Sequence, residues 1–145
     1  MDTQAKIAGY IASQTQPKRD DLLTLHRLFL KASPNGRLWF LDGLNEAGKV
    51  VANPSVGYGV QTQRYAGGEV RAFYKVGLSA NTTGISIYVM GLDDKKHLSR
   101  AYGAALGKAK ITGYCIKFRR LEDVNLDVIE RMAADCLGTE VASQP

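Results

Sequence analysis

The feature of this sequence that most constrains its fold is the recurrence of apolar side chains at every second position in the middle of the chain. Between residues 70 and 78 these side chains are Val70, Ala72, Tyr74, Val76 and Leu78. A period of two residues is typical of a β-strand that packs one face against a core. Segments rich in β-branched and aromatic residues predict four further strands: Arg37–Leu41, Val56–Thr62, Ile85–Met90 and Gly113–Phe118.

Helices flank this group of strands. Apolar residues at helical spacing predict helices over residues 3–14, 18–32, 95–106 and from Asn125 to Gly138. Because the strands are clustered and do not alternate with the helices, we predict an α+β fold with terminal helices packed on an antiparallel β-sheet. We expect residues 1–138 to form a single domain and residues 139–145 to form a flexible C-terminal tail.

Composition narrows the class of protein further. The 145 residues are 45% hydrophobic and 23% charged, which is ordinary for a chain with one buried core. No apolar run approaches the roughly 18 residues that span a membrane, and the first residues do not read as a secretion signal. We therefore expect a cytoplasmic protein with no membrane partner, in which Cys115 and Cys136 are buried, inert thiols.

No catalytic motif is recognisable in the sequence. Gly103–Lys108 is not a phosphate loop, because only three residues separate its two glycines. Gly57-Tyr58-Gly59 lacks the third glycine of a dinucleotide-binding turn, and Ser86 lacks the second glycine of a nucleophile elbow. We therefore expect a non-enzymatic binding or accessory protein without a cofactor. A protein partner and a homodimer both remain open.

Two groups of residues are candidates for binding a small ligand. Between two predicted strands, a loop over residues 79–84 offers Ser79, Asn81, Thr82 and Thr83 as hydrogen-bonding groups. The alternative, which we favour, is a turn whose Asn and Thr side chains bond to their own backbone. Trp39 and Tyr58 are candidates for a pocket or a dimer seam, if the sheet exposes them.

A basic segment near the C-terminus is a candidate for binding anions. Between Gly107 and Arg120 there is no acidic residue, and the segment carries five cations: Lys108, Lys110, Lys117, Arg119 and Arg120. Cations beside aromatic residues suit single-stranded nucleic acid. We favour the alternative, in which the cations are the solvated edge of a sheet and Tyr114 and Phe118 belong to the core. Nucleic acid is therefore not the expected partner.

Histidines and carboxylates give no clear metal motif. His26 and His97 are the only histidines, and neither has a second ligand at metal-binding spacing in the sequence. His26 lies beside the apolar stripe of the second predicted helix, where a half-buried structural histidine is the expected role.

Four stretches of the sequence resemble the YdhG-like family of domains of unknown function. They are Tyr10–Ser13 with Pro17–Arg19, Leu38–Gly43, Gly77–Tyr88, and Gly113–Phe118 with Leu126–Ile129. The resemblance implies a frataxin-like fold, in which terminal helices pack on one face of an antiparallel sheet.

The same resemblance implies a possible role as an iron chaperone, with iron as the alternative cofactor. Delivery of iron needs oxygen ligands, and the candidate carboxylates are Asp20, Asp21, Asp93 and Asp94. No acidic residue lies between Thr3 and Gln14, where frataxins place theirs. Helix capping is the favoured explanation of the 93–94 pair.

Overall fold

A computed structural model of the chain describes residues 2–138. In chain order its elements are α1 (Thr3–Ala12), α2 (Lys18–Ala32), β1 (Leu38–Leu41), β2 (Ser55–Tyr58), β3 (Gln61–Arg64), β4 (Val70–Phe73), β5 (Val76–Asn81), β6 (Gly84–Val89), α3 (His97–Leu106), β7 (Lys110–Thr112), β8 (Cys115–Phe118) and α4 (Leu126–Ala133). A 3-10 turn at Leu121–Asp123 precedes α4, and a π-helical turn at Ala134–Gly138 follows it. The predicted tail at 139–145 lies outside the described residues.

The strands form a six-stranded antiparallel sheet in the order β1-β2-β5-β6-β8-β7, with β3 and β4 paired in a separate ribbon. The predicted α+β fold with an antiparallel sheet is thereby confirmed. The core lies between the helices and one face of the sheet. A row of neighbouring strand positions carries the core side chains Val56, Leu78, Ile87 and Ile116, all fully buried.

Helix α2 supplies the opposite wall of this core. Leu22, Leu25 and Phe29 are fully buried at helical spacing, and the four turn formers that follow Ala32 end the helix where the sequence predicts. Helix α4 begins at the predicted cap, because the Asn125 side chain accepts a hydrogen bond from the Asp127 amide. No helix of the described residues is long and apolar enough to cross a membrane.

Two predicted strands are each broken in the structure. The run Val56–Thr62 ends as β2 at Tyr58, because Gly59 takes a positive φ of 74° and the chain resumes as β3. The alternation from 70 to 78 is likewise split into β4 and β5 at Tyr74 and Lys75. Since Tyr58 pairs with Val76, the whole β3–β4 ribbon is an excursion between two strands that are neighbours in the main sheet.

The predicted loop over residues 79–84 is corrected. Ser79–Asn81 belong to β5, so only Thr82 and Thr83 form the turn to β6. A single bridge joins Leu44 and Val50 in the connection between β1 and β2. The short edge strand β7 was not predicted.

Candidate functional site

A groove between α1 and α2 has a mostly apolar lining. Its volume is about 460 Å³. The walls come from Ile7, Ala8 and Ile11 of α1 and from Leu23 and Leu30 of α2, with Leu38 of β1 beneath them. Residues spaced by three and four share one face of a helix, which explains how each helix turns these side chains to its neighbour. The alanine at position 8 is too short to close the space.

A histidine and a tyrosine form a hydrogen bond beneath this groove. His26 Nδ1 lies 2.6 Å from the hydroxyl of Tyr58, and the two rings are 5.7 Å apart between centroids. His26 is half-buried and lines the groove, whereas Tyr58 is only 1% exposed and packs against Phe29. The pair therefore connects an apolar cavity with the core.

Burial shifts the pKa of both rings. It lowers the pKa of His26, and the nearby charge of Arg27 lowers it further. Burial also raises the pKa of Tyr58 well above its ordinary value, so the phenol keeps its proton. A buried hydroxyl proton needs an acceptor, and His26 Nδ1 is the acceptor within reach. With Nδ1 as the acceptor, the neutral form of the ring carries its own proton on Nε2, which can then donate to a ligand.

Arg19 is the one charged residue among those that line the groove. It stands on the same face of α2 as Leu23, His26 and Leu30, one to three turns away along the helix. The side chain is half-buried and takes part in none of the ion pairs between described residues. The sequence reasoning missed Arg19, although its spacing from His26 marks a common helix face.

The predicted ligand-binding loop is a turn held by its own side chains. Asn81 Oδ1 accepts hydrogen bonds from the backbone and the hydroxyl of Thr83, at 3.0 and 2.8 Å, and Asn81 Nδ2 donates to Ser86. Ser79 is buried and donates to the carbonyl of Pro54. These contacts are those of the favoured alternative, a side-chain-stapled turn. Thr82 and Thr83 are exposed, away from the α1–α2 groove.

Trp39 and Tyr58 lie on opposite faces of the sheet and cannot line one pocket. Trp39 is opposite Gly57 in the register between β1 and β2, whereas Tyr58 is opposite Leu38. Trp39 Nε1 donates to the carbonyl of Gly59, and Arg37 stacks 3.7 Å above its ring.

The basic segment does not form a single patch. Lys110 and Lys117 face each other across β7 and β8, where β7 is the edge strand. Arg120 instead pairs with Asp21 at 2.9 Å. Lys108 follows α3, and Arg119 lies beyond β8. Phe118 is buried in the core as expected, whereas Tyr114 is half-buried in the turn before β8.

The candidate iron ligands lie in two separate pairs, and three of the four already accept hydrogen bonds. Asp21 accepts hydrogen bonds from Arg120 and from the Leu121 amide, and Asp20 accepts one from Gln16. Asp94 accepts hydrogen bonds from the Lys96 amide and from Arg100. The predicted capping of α3 by this pair is wrong, because the helix begins at His97 and its N-cap position is Lys96, which makes no side-chain capping hydrogen bond. Asp93 and Asp94 follow β6, so its length of roughly 17 Å separates them from the Asp20 end of the sheet. No cluster of three or more metal-ligating side chains occurs within residues 2–138.

The lowered pKa of His26 predicts that stability falls in mild acid. A depressed pKa means that the unfolded chain binds the proton first, so stability is full above the unfolded value of about 6.5 and declines as pH falls below it. Denaturant unfolding between pH 5 and 8 measures this decline. His26→Gln should flatten the profile, whereas the exposed His97→Gln should leave it unchanged. If stability fell equally steeply with pH in both variants, the loss of stability in mild acid would not come from His26.

Comparison with known proteins adds no relative: no family model, no curated protein and no solved structure matches this chain.

Proposed function

We propose that this chain is a non-enzymatic binding domain that holds a small, mainly apolar molecule in the α1–α2 groove. The observation that carries the proposal is that His26 lines a mostly apolar groove while its Nδ1 lies 2.6 Å from the Tyr58 hydroxyl. Ligand sites generally combine apolar walls with a few placed polar groups that orient the ligand.

The dimensions of the groove support a small ligand. Its volume of about 460 Å³ lies within the roughly 300–1,000 Å³ that ligand sites usually have. The walls are held by residues of the core, since Ile7 and Ile11 are 2% and 4% exposed. Walls of this kind are formed before the ligand arrives, which reduces the ordering cost of binding.

The chemistry of the groove supports binding without turnover. A general base acts on a nucleophile or substrate proton that it can reach, and an activated nucleophile is usually Ser, Cys, Thr or Lys. The hydrogen-bond partner of His26 is instead a tyrosine whose pKa is raised by burial. The pair thus orients a donor and does not activate a nucleophile.

Filling the groove should weaken binding strongly and leave the fold intact. Ala8 lines the groove, so Ala8→Phe places a ring where the ligand would lie. Titration of decanol, followed by calorimetry and by thermal shift, should show saturable binding to the unaltered chain and at least about tenfold weaker binding to Ala8→Phe.

Ala5→Phe is the matched control. It makes the same change on the same helix, and both alanines are exposed, but Ala5 does not line the groove. This variant should bind decanol as the unaltered chain does. Equal binding by Ala8→Phe and Ala5→Phe would place the ligand elsewhere and overturn the proposal.

A further inference from the structure

We infer that the ligand of the α1–α2 groove is an apolar monocarboxylate whose carboxylate binds Arg19, an inference that rests on the proposed function. An acid with a linear hydrocarbon chain is the class of molecule that matches both the walls and the charge.

The first argument is that Arg19 is half-buried and forms no ion pair with the described residues. A guanidinium is charged at all physiological pH values and loses hydration when it is half-buried beside apolar side chains. The two nearest acids in the sequence are both engaged elsewhere, Asp20 with Gln16 and Asp21 with Arg120. Arg19 therefore has no carboxylate partner among the described residues, and a carboxylate on a ligand in the groove would match its planar set of donors with two parallel hydrogen bonds.

The charge balance of the groove is the second argument. The residues that line it include one cation and no anion. An anionic ligand is attracted there, while a cationic ligand of the same shape is repelled at low dielectric. Charge complementarity thus selects a carboxylate over an alcohol or an amine with the same chain.

The direction of the groove is the third argument. From Arg19 to Leu30, α2 rises by about 16 Å along its axis, so a ligand held at Arg19 extends its chain past Leu23 to Leu30. His26 lies about 10 Å further along the same axis than Arg19, beside the middle of a ligand that runs from Arg19 to Leu30. The His26 donor is thus available to an oxygen on the chain itself, such as a hydroxyl or carbonyl group at mid-length.

Three probes with one chain length test the inference. Decanoate, decanol and decylamine are titrated into the folded chain at pH 7.5 and moderate salt. We expect decanoate to bind at least about tenfold more tightly than decanol, because hydrogen bonds between charged groups are stronger than those between neutral groups. Decylamine, which carries a positive charge, should bind most weakly. A mid-chain hydroxyl on decanoate should strengthen binding further.

Arg19→Gln and Arg27→Gln distinguish the effect of a charge in the groove from the effect of a charge elsewhere on α2. Both remove one arginine from α2, but Arg27 is exposed and does not line this groove. Arg19→Gln should weaken decanoate about tenfold and leave decanol unchanged, whereas Arg27→Gln should change neither. Circular dichroism checks that both variants fold.

The outcomes distinguish the two proposals. Equal affinity for decanoate and decanol, or equal loss of decanoate in both arginine variants, would overturn the carboxylate inference and leave the groove as a site for neutral apolar molecules. If none of the three probes binds, the proposed function itself fails.

Discussion

Gly77→Val is expected to destabilise the protein by about 3 kcal/mol, at the upper end of what overpacking of a rigid interior costs. Gly57 and Gly77 are opposite each other on the second face of the sheet, and the ring of Tyr74 lies on both. A Cβ atom at Gly77 would stand 2.6 Å from a ring carbon of Tyr74. The ring cannot retreat freely, because it is 6% exposed and stacks on Phe73 at 4.1 Å.

The measurement is denaturant unfolding of the variant and of a matched control. Gly67→Val makes the same change in the turn between β3 and β4, where a Cβ would meet no atom within 4 Å. This control should lose well under about 1 kcal/mol. Tyr74→Ala combined with Gly77→Val should lose less than the sum of the two single changes, since the smaller side chain removes the collision. If the losses of stability in the two single variants simply added in the double variant, a collision between the Tyr74 ring and a side chain at position 77 would not be the cause of the destabilisation.

Tyr58→Phe is expected to lower the free energy of unfolding by about 2 kcal/mol, although it removes a single oxygen. The hydroxyl is the partner of His26 Nδ1, and its loss leaves a half-buried nitrogen without its hydrogen bond. The ring itself still fits against Phe29, so the loss reports the hydrogen bond and not a cavity. Unfolding in urea at pH 7.5 measures the difference.

Tyr65→Phe removes the same atom from an exposed residue, whose hydroxyl bonds Gln63 on the β3–β4 ribbon. We expect a change within about 0.5 kcal/mol for this control. If Tyr58→Phe were equally mild, the histidine and tyrosine would not support each other, and the fixed donor in the groove would lose its basis.

The sequence predicts the helices better than the strands, for a physical reason that individual residues show. Helix α2 is bounded by Pro17 and by the turn formers after Ala32, and its apolar spacing is local information. The strands depend on partners far along the chain. The alternation from Val70 to Leu78 continues through Tyr74 without any change of pattern, yet the chain leaves one sheet and enters another there.

Only part of the candidate site could be predicted from the sequence. Arg19 and His26 are spaced to share a helix face, so their common position on α2 could have been read from the sequence. The partnership of His26 with Tyr58 could not, because the two residues are 32 positions apart and the sheet register decides which side of β2 the tyrosine takes. The same register places Trp39 on the opposite face of the sheet from Tyr58.

The position of the β3–β4 ribbon says something about how this fold can change over evolutionary time. Tyr58 and Val76 are paired neighbours in the main sheet, so the chain leaves and re-enters at almost the same point. A loop with ends this close can lengthen or shorten at a small entropic cost, roughly 0.6 kcal/mol for each doubling. A descendant could thus gain a longer arm here, or lose the β3–β4 ribbon and keep Tyr74, while the six strands and the groove keep their positions.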